Sequence, residues 1–191
     1  MPNKILFVNA CVRKDSRTKR LADCLISRLE GETEEVRLEN VHFGISDERF
    51  ISERDRLLSS GAYDHPMFSP ARSFAAADLI VIAAPFWDLS FPAALKQYFE
   101  QINVTGITFR YTETGEPQGL CKAKKLYYVT TAGGRIYSDA YGYGYVKALA
   151  QQFYGIPETE MISAEGLDII GADTEALLQD AIRNIRDITW Q

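Results

Sequence analysis

Three short segments carry the groups that could do chemistry. The first, Cys11 to Thr18 (CVRKDSRT), follows an apolar run and opens a helical pattern. A helix N-terminus presents unpaired N–H groups and a partial positive charge, so it can seat a phosphate. Ser16 and Thr18 add hydroxyl donors, and Arg13 and Arg17 add charge. Ser16 equally suits a plain N-cap, so both readings stand. The loop has no glycine and no Gly-Lys-Ser/Thr, which sets aside a Walker-type NTPase and a GxGxxG dinucleotide fold. The second segment, Pro85 to Leu89 (PFWDL), places Phe86 and Trp87 just past another apolar run. Large rings there suit the wall of a flat aromatic ligand, or alternatively caps over the core. The third, Thr131 to Tyr137 (TAGGRIY), puts Gly133 and Gly134 where a backbone could approach a ligand closely, or simply turn tightly.

The elements that position these segments follow from periodicity. Apolar runs over Ile5–Ala10, Asp78–Ala84 and Lys125–Thr131 read as buried strands, Glu34–Leu38 as a half-buried strand, and Glu160–Ala164 as a short last one. Helical spacing covers Thr18–Leu29, Phe91–Ile102, Ala140–Tyr154 and Thr174–Ile188, the last capped by Asp173 or Thr174. Asp47–Ser59 and Pro70–Ala77 are further helical candidates, and Gly106–Thr112 runs into a turn cluster as a hairpin or an extended excursion. The alternation βαβαβαβαβα implies an α/β protein whose parallel sheet is covered by helices on both faces. Five strands suit the order 2-1-3-4-5, with the ligand site at the switch between strands one and three. All three chemical segments then fall on one sheet edge.

The chain, residues 1–191, suits one domain without repeat or linker. A net charge of −5 argues against nucleic acid as the main partner. Cys11, Cys24 and Cys121 form no zinc pattern or disulfide framework, which suits a reduced, cytoplasmic setting. MPNKILFVNA lacks the apolar core of a signal peptide, and no run is long enough for a membrane span. His42 and His65 lack a carboxylate partner at ligand spacing, so no metal is expected. Tyr137, Tyr141, Tyr143 and Tyr145 suit a dimer contact, a pocket wall or plain helix packing.

The segment AAPFW with the helix ALKQYF, GITFRYTETG, Gly119-Leu120, Lys124-Lys125, TTAGG at Thr130–Gly134 and Ala164-Glu165-Gly166 together resemble the flavodoxin-like NAD(P)H dehydrogenases, which include FMN-dependent NADH azoreductases and NAD(P)H:quinone oxidoreductases. His42–Met67 lies outside the resemblance. The resemblance implies a flavodoxin-like three-layer sandwich holding non-covalent FMN, with NADH or NADPH as hydride donor and a quinone, azo or nitroaromatic acceptor. It places Ser16, Arg17 and Thr18 at the phosphate, with Cys11 where the family often has Ser or His. It also places Pro85 among the cofactor-binding residues, with Phe86, Trp87, Asp88 and Leu89 along the isoalloxazine, their backbone N–H groups near its N5 edge, and Thr131, Ala132, Gly133 and Gly134 at its pyrimidine side. Asp88, where azoreductases often carry Asn, would disfavour an anionic reduced ring if it faced it. Tyr137 matches a tyrosine beside the hydride path. The family's homodimers imply that a partner chain closes the pocket; His42–Met67 and Tyr141–Tyr145 are the candidate segments for that contact. A flavodoxin-type electron carrier, or a binding module of this fold without flavin, remain the competing readings.

Overall fold

The computed structural model describes residues 3–185. Strands β1 (Lys4–Asn9), β2 (Glu32–Arg37), β3 (Leu79–Ala83), β6 (Lys125–Thr131) and β7 (Glu158–Ala164) form one parallel sheet in the order β2-β1-β3-β6-β7. The remaining two strands, β4 (Phe109–Tyr111) and β5 (Pro117–Gly119), make a separate antiparallel hairpin. Counting only the main sheet, this is the order 2-1-3-4-5. The register pairs Ile5 with Leu79 and Leu79 with Lys125 and runs on in step, so the carboxyl ends of β1, β3 and β6 finish together.

Every residue of β3 (LIVIA) is buried, as a central parallel strand requires. Alternate side chains of a strand point to opposite faces, and the core divides accordingly. Leu6, Val8, Ile80, Ile82, Leu126 and Tyr128 face one side. There they meet Phe74 of α3 (Ser69–Ala76), Leu95 and Phe99 of α4 (Ala93–Ile102) and Val146 of α5 (Tyr143–Leu149). Ile5, Phe7, Leu79, Val81, Tyr127 and Val129 face the other, against Leu21 and Leu25 of α1 (Arg17–Ile26) and Leu178 of α6 (Thr174–Asn184). Each such aliphatic side chain contributes about 1.5–3 kcal/mol on burial, so both faces hold the sheet rigid beneath its loops.

Several local expectations shift. The edge strand β2 begins at Glu32 and is mostly exposed rather than half-buried, because among the described residues no strand pairs with its outer side, while Val36 packs on the core. Leu38 belongs instead to a short 3-10 turn. The remaining helix, α2 (Glu48–Ser59), is capped by Asp47, whose carboxylate accepts from the Phe50 N–H at 2.8 Å. The span expected as one helix over Ala140–Tyr154 starts only at Tyr143 and ends in a π-helical turn, Ala150–Tyr154. Gly155 closes that turn with a left-handed φ of 73°, its backbone packed on Gly119 of the hairpin. In α6, Asp173 is the cap, accepting from the Ala176 N–H at 2.9 Å; the expected end of that helix at Ile188 lies outside the described residues.

Candidate functional site

A cleft of about 250 Å³ opens at the carboxyl edge of the sheet, where β1, β3 and β6 end. All three chemical segments line it: Arg13 and Ser16–Thr18 from the first, Pro85–Trp87 from the second, Thr131–Gly133 from the third. This is the switch point, where the connections after β1 and β3 leave toward opposite faces of the sheet. A larger cleft, about 350 Å³, lies between β2 and α3 and is lined by Lys4, Glu32 and Arg72. It sits away from all three segments, so it does not compete as their site.

At the first segment Ser16 is the N-cap of α1. It is extended (φ −69°, ψ 119°), and its hydroxyl accepts from the Lys19 N–H at 3.2 Å. The N–H groups of Arg17 and Thr18, at the start of the helix, have no intrahelical acceptor, and both residues line the cleft. The Thr18 hydroxyl is bonded to that of Thr131 at 2.6 Å, which ties the first segment to the third. In that pair one hydroxyl donates to the other, leaving the acceptor's own proton available. Arg17 reaches across to the loop after β7, donating to the Leu167 carbonyl at 3.2 Å and to Asp168 Oδ1 at 2.8 Å. Arg13 has no ion-pair partner among the described residues. Cys11 does not line the cleft. It is 4% exposed, its N–H donates to Asn9 Oδ1, and its sulfur lies 3.9 Å from the Ala83 carbonyl. Burial pushes its thiol up to about 11, so it is an inert packing group.

The second segment is a two-residue hairpin. The Trp87 N–H donates to Ser90 O and the Ser90 N–H to Trp87 O, with Asp88 (φ 50°) and Leu89 (φ 66°) at the tip. Two positive φ values make this a type I′ turn, normally built with Asn-Gly or Asp-Gly. A leucine there is strained, as turns at binding sites often are. Of the four N–H groups expected to face a ligand, those of Phe86 and Trp87 are held by Thr131 O and Ser90 O. Only those of Asp88 and Leu89 lack a protein acceptor among the described residues. Phe86 is half-buried and Trp87 is 37% exposed, so neither is a core cap. The Asp88 carboxylate is exposed. The Ser90 hydroxyl donates to the Tyr141 carbonyl and braces the turn against the approach to α5.

The third segment rests on the loop after β7. Gly166, Leu167 and Asp168 donate their N–H groups to the carbonyls of Gly134, Ala132 and Gly133, and Glu165 accepts from the Ile136 N–H at 2.9 Å. The Asp168 side chain packs so closely on Gly133 that a Cβ there would collide with its carboxylate. The N–H groups of Gly133 and Gly134 have no protein acceptor among the described residues, and Gly134 faces open space. The four tyrosines divide. Tyr143 bonds to Thr159 and Tyr145 packs on Phe91 and Phe99, whereas Tyr137 is 92% and Tyr141 65% exposed. Tyr137 therefore does not reach the cleft within this chain.

The residue that sequence reasoning did not single out is Asp168. Its signal was position: it lies just past the end of a fifth parallel strand, on the edge where ligands bind. The donor set suits one kind of ligand. Unpaired amides at a helix start with two guanidiniums suit a phosphate, and exposed aromatic surface beside unpaired turn amides suits a flat ring bearing acceptors. FMN has both parts.

Comparison with known proteins bears on the same point. The profile of the flavodoxin-like fold family matches residues 3–188. An FMN-dependent NADH:quinone oxidoreductase of Coprothermobacter proteolyticus is 37% identical over 203 residues, covering 98% of each chain. Among solved structures, an azoreductase from Bacillus anthracis superposes with a TM-score of 0.82 at 21% identity, covering 96% of each chain. An FMN-dependent NADH-azoreductase from Bacillus anthracis, in complex with FMN, superposes with a TM-score of 0.78 at 23% identity, covering 96% of this chain and 95% of that one. At those identities the two superpositions speak for the fold.

Proposed function

Since this chain belongs to the flavodoxin-like fold family, we propose that it is an FMN-dependent NAD(P)H oxidoreductase reducing quinones and azo or nitroaromatic compounds. The observation that carries this reading is the meeting of three loops in one cleft, where the first residues of α1 and Gly133 stand beside the aromatic surface of Phe86 and Trp87, with the unpaired amides of Asp88 and Leu89 next along the chain. Full-length likeness to an FMN-dependent NADH:quinone oxidoreductase supports it.

FMN, when bound, supplies two-electron redox chemistry, accepting hydride from NAD(P)H and passing it to the acceptor. The protein binds, orients and shields. The N–H groups of Arg17 and Thr18, with the guanidiniums of Arg13 and Arg17, hold the phosphate. The Thr18–Thr131 hydroxyl pair fixes the distance between the phosphate end and the third segment. Phe86, Trp87 and Leu89 wall the ring. The unpaired amides of Asp88, Leu89 and Gly133 are pre-oriented donors, so they stabilise negative charge on it without reorganising. The exposed Asp88 carboxylate is free to stay in solvent.

Val12, Trp87, Leu89, Tyr137, Tyr141 and Ile170 are apolar or aromatic and exposed around or near this edge. A second copy of the chain covers them in a homodimer, and Tyr137 acts there, at the closed pocket, rather than within its own chain. Among the described residues no helix is long and apolar enough to cross a membrane; the place of work proposed for this single flavodoxin-like domain is the cytoplasm. With one cleft for both substrates, NAD(P)H leaves before the acceptor enters. Steady-state rates over a grid of NADH and benzoquinone concentrations should give parallel double-reciprocal lines. Intersecting lines, or turnover without flavin, would overturn this reading.

A further inference from the structure

We propose that Asp168 is a positioning residue that competes with the flavin phosphate for Arg17 and so keeps FMN exchangeable; this rests on the FMN reading above. Arg17 occupies the first position of α1, where a phosphate would sit, yet its guanidinium is already paired with Asp168 at 2.8 Å and with the Leu167 carbonyl. The cleft is lined by Arg13 and Arg17 but also by Asp15 and Asp168, so its formal side-chain charges cancel before any ligand arrives. A phosphate monoester brings roughly −1.5 to −2 charges at neutral pH. It must then share Arg17 with a carboxylate or displace it.

The backbone that carries the carboxylate is fixed at this spot. The Asp168 N–H donates to the Gly133 carbonyl at 2.9 Å, and its side chain fills the space over the Gly133 Cα. The same residue therefore shapes the glycine turn and faces the phosphate seat. Its side chain is 64% exposed, so repulsion between it and the phosphate is screened but not abolished. At about 6 Å in a solvent-like dielectric, one such like-charge pair amounts to roughly a five- to tenfold change in affinity. The effect belongs to the phosphate alone; the ring and the ribityl chain carry no charge for Asp168 to oppose.

Asp168→Asn keeps the shape over Gly133 and an oxygen facing Arg17 while removing the charge. Dissociation constants for FMN and for riboflavin should be measured by fluorescence quenching on the flavin-free wild type and on D168N, at low and high salt. The expected result is FMN binding tightened about five- to tenfold at low salt, riboflavin binding unmoved, and the gain shrinking as salt rises. Unchanged or weaker FMN binding by D168N would overturn the proposal and make Asp168 a brace for Arg17. An equal shift for FMN and riboflavin would also overturn it, because the effect would then lie at the ring. If wild type binds neither flavin, the FMN reading itself falls and this inference with it.

Discussion

The hydroxyl pair that joins two walls of the cleft lends itself to a quantitative test. Thr18 is 1% exposed and Thr131 8%, and their oxygens lie 2.6 Å apart. Replacing either by valine keeps the shape and leaves the other hydroxyl without its partner. A buried orphan hydroxyl costs about 1–3 kcal/mol, against about 1 kcal/mol for the net worth of the bond itself. The two sides are not equivalent. Thr18→Val leaves without a partner the hydroxyl of Thr131, the less deeply buried of the two residues, so it should cost about 1 kcal/mol. Thr131→Val leaves the deeper Thr18 hydroxyl stranded and should cost about 2 kcal/mol. The double variant removes both polar groups and should cost about 1 kcal/mol, giving a coupling near 2 kcal/mol in a double-mutant cycle. Urea denaturation of the flavin-free protein reads all four states. Costs that simply add, or a T18V more damaging than T131V, would refute the argument that these hydroxyls satisfy each other.

Three further outcomes follow from the described geometry. Leu89→Gly should stabilise the flavin-free protein by roughly 0.5–1 kcal/mol, because relief of a left-handed residue exceeds the entropy a glycine adds to the unfolded chain; a lower urea midpoint would show that the turn is not strained. Under native conditions near pH 8, an alkylating reagent followed by mass spectrometry should modify the half-buried Cys24 first. Cys121 is equally half-buried but its thiol is pushed up to about 12, so it should react more slowly, and the buried Cys11, pushed up to about 11, should react only on unfolding; early loss of Cys11 would contradict its placement. The Asp78 carboxylate is held below its ordinary value by the Lys122 ammonium and the Lys4 N–H, so its contribution is present above about pH 4 and is lost as pH falls through the lowered value. Asp78→Asn should therefore cost about 1 kcal/mol at pH 7, discounted for solvent access to the pair, and progressively less as pH falls through the lowered value; a cost independent of pH would point to packing instead.

What was legible in the sequence followed from strong periodicity. The LIVIA run could be little but a strand buried on both faces, and its neighbours at Ile5 and Lys125 set the sheet. Ser16 and Asp173 announced helix starts through their side-chain chemistry. That the three loops line one cleft was legible because parallel strands deliver their carboxyl ends to one edge. The π-helical turn at Ala150–Tyr154 was not, because its helical periodicity continues that of α5 while Gly155 and the hairpin decide its geometry. The type I′ turn was hidden because Asp88-Leu89 lacks the glycine that marks such turns. Cys11 read as a site residue by position in the chain, yet Asn9 holds its amide and the core takes its side chain. Asp168 stayed invisible because its role depends on Arg17, which lies 151 residues away in the chain.

The most direct test of the account is retention of flavin. The purified protein would be incubated with excess FMN, freed of unbound flavin by gel filtration, and its visible spectrum recorded against protein concentration. The cleft geometry predicts close to one FMN per chain, with absorption bands displaced from those of free flavin and bleached by NADH. Retention of no flavin, with the fold intact by circular dichroism, would contradict it and favour a binding module of the same architecture.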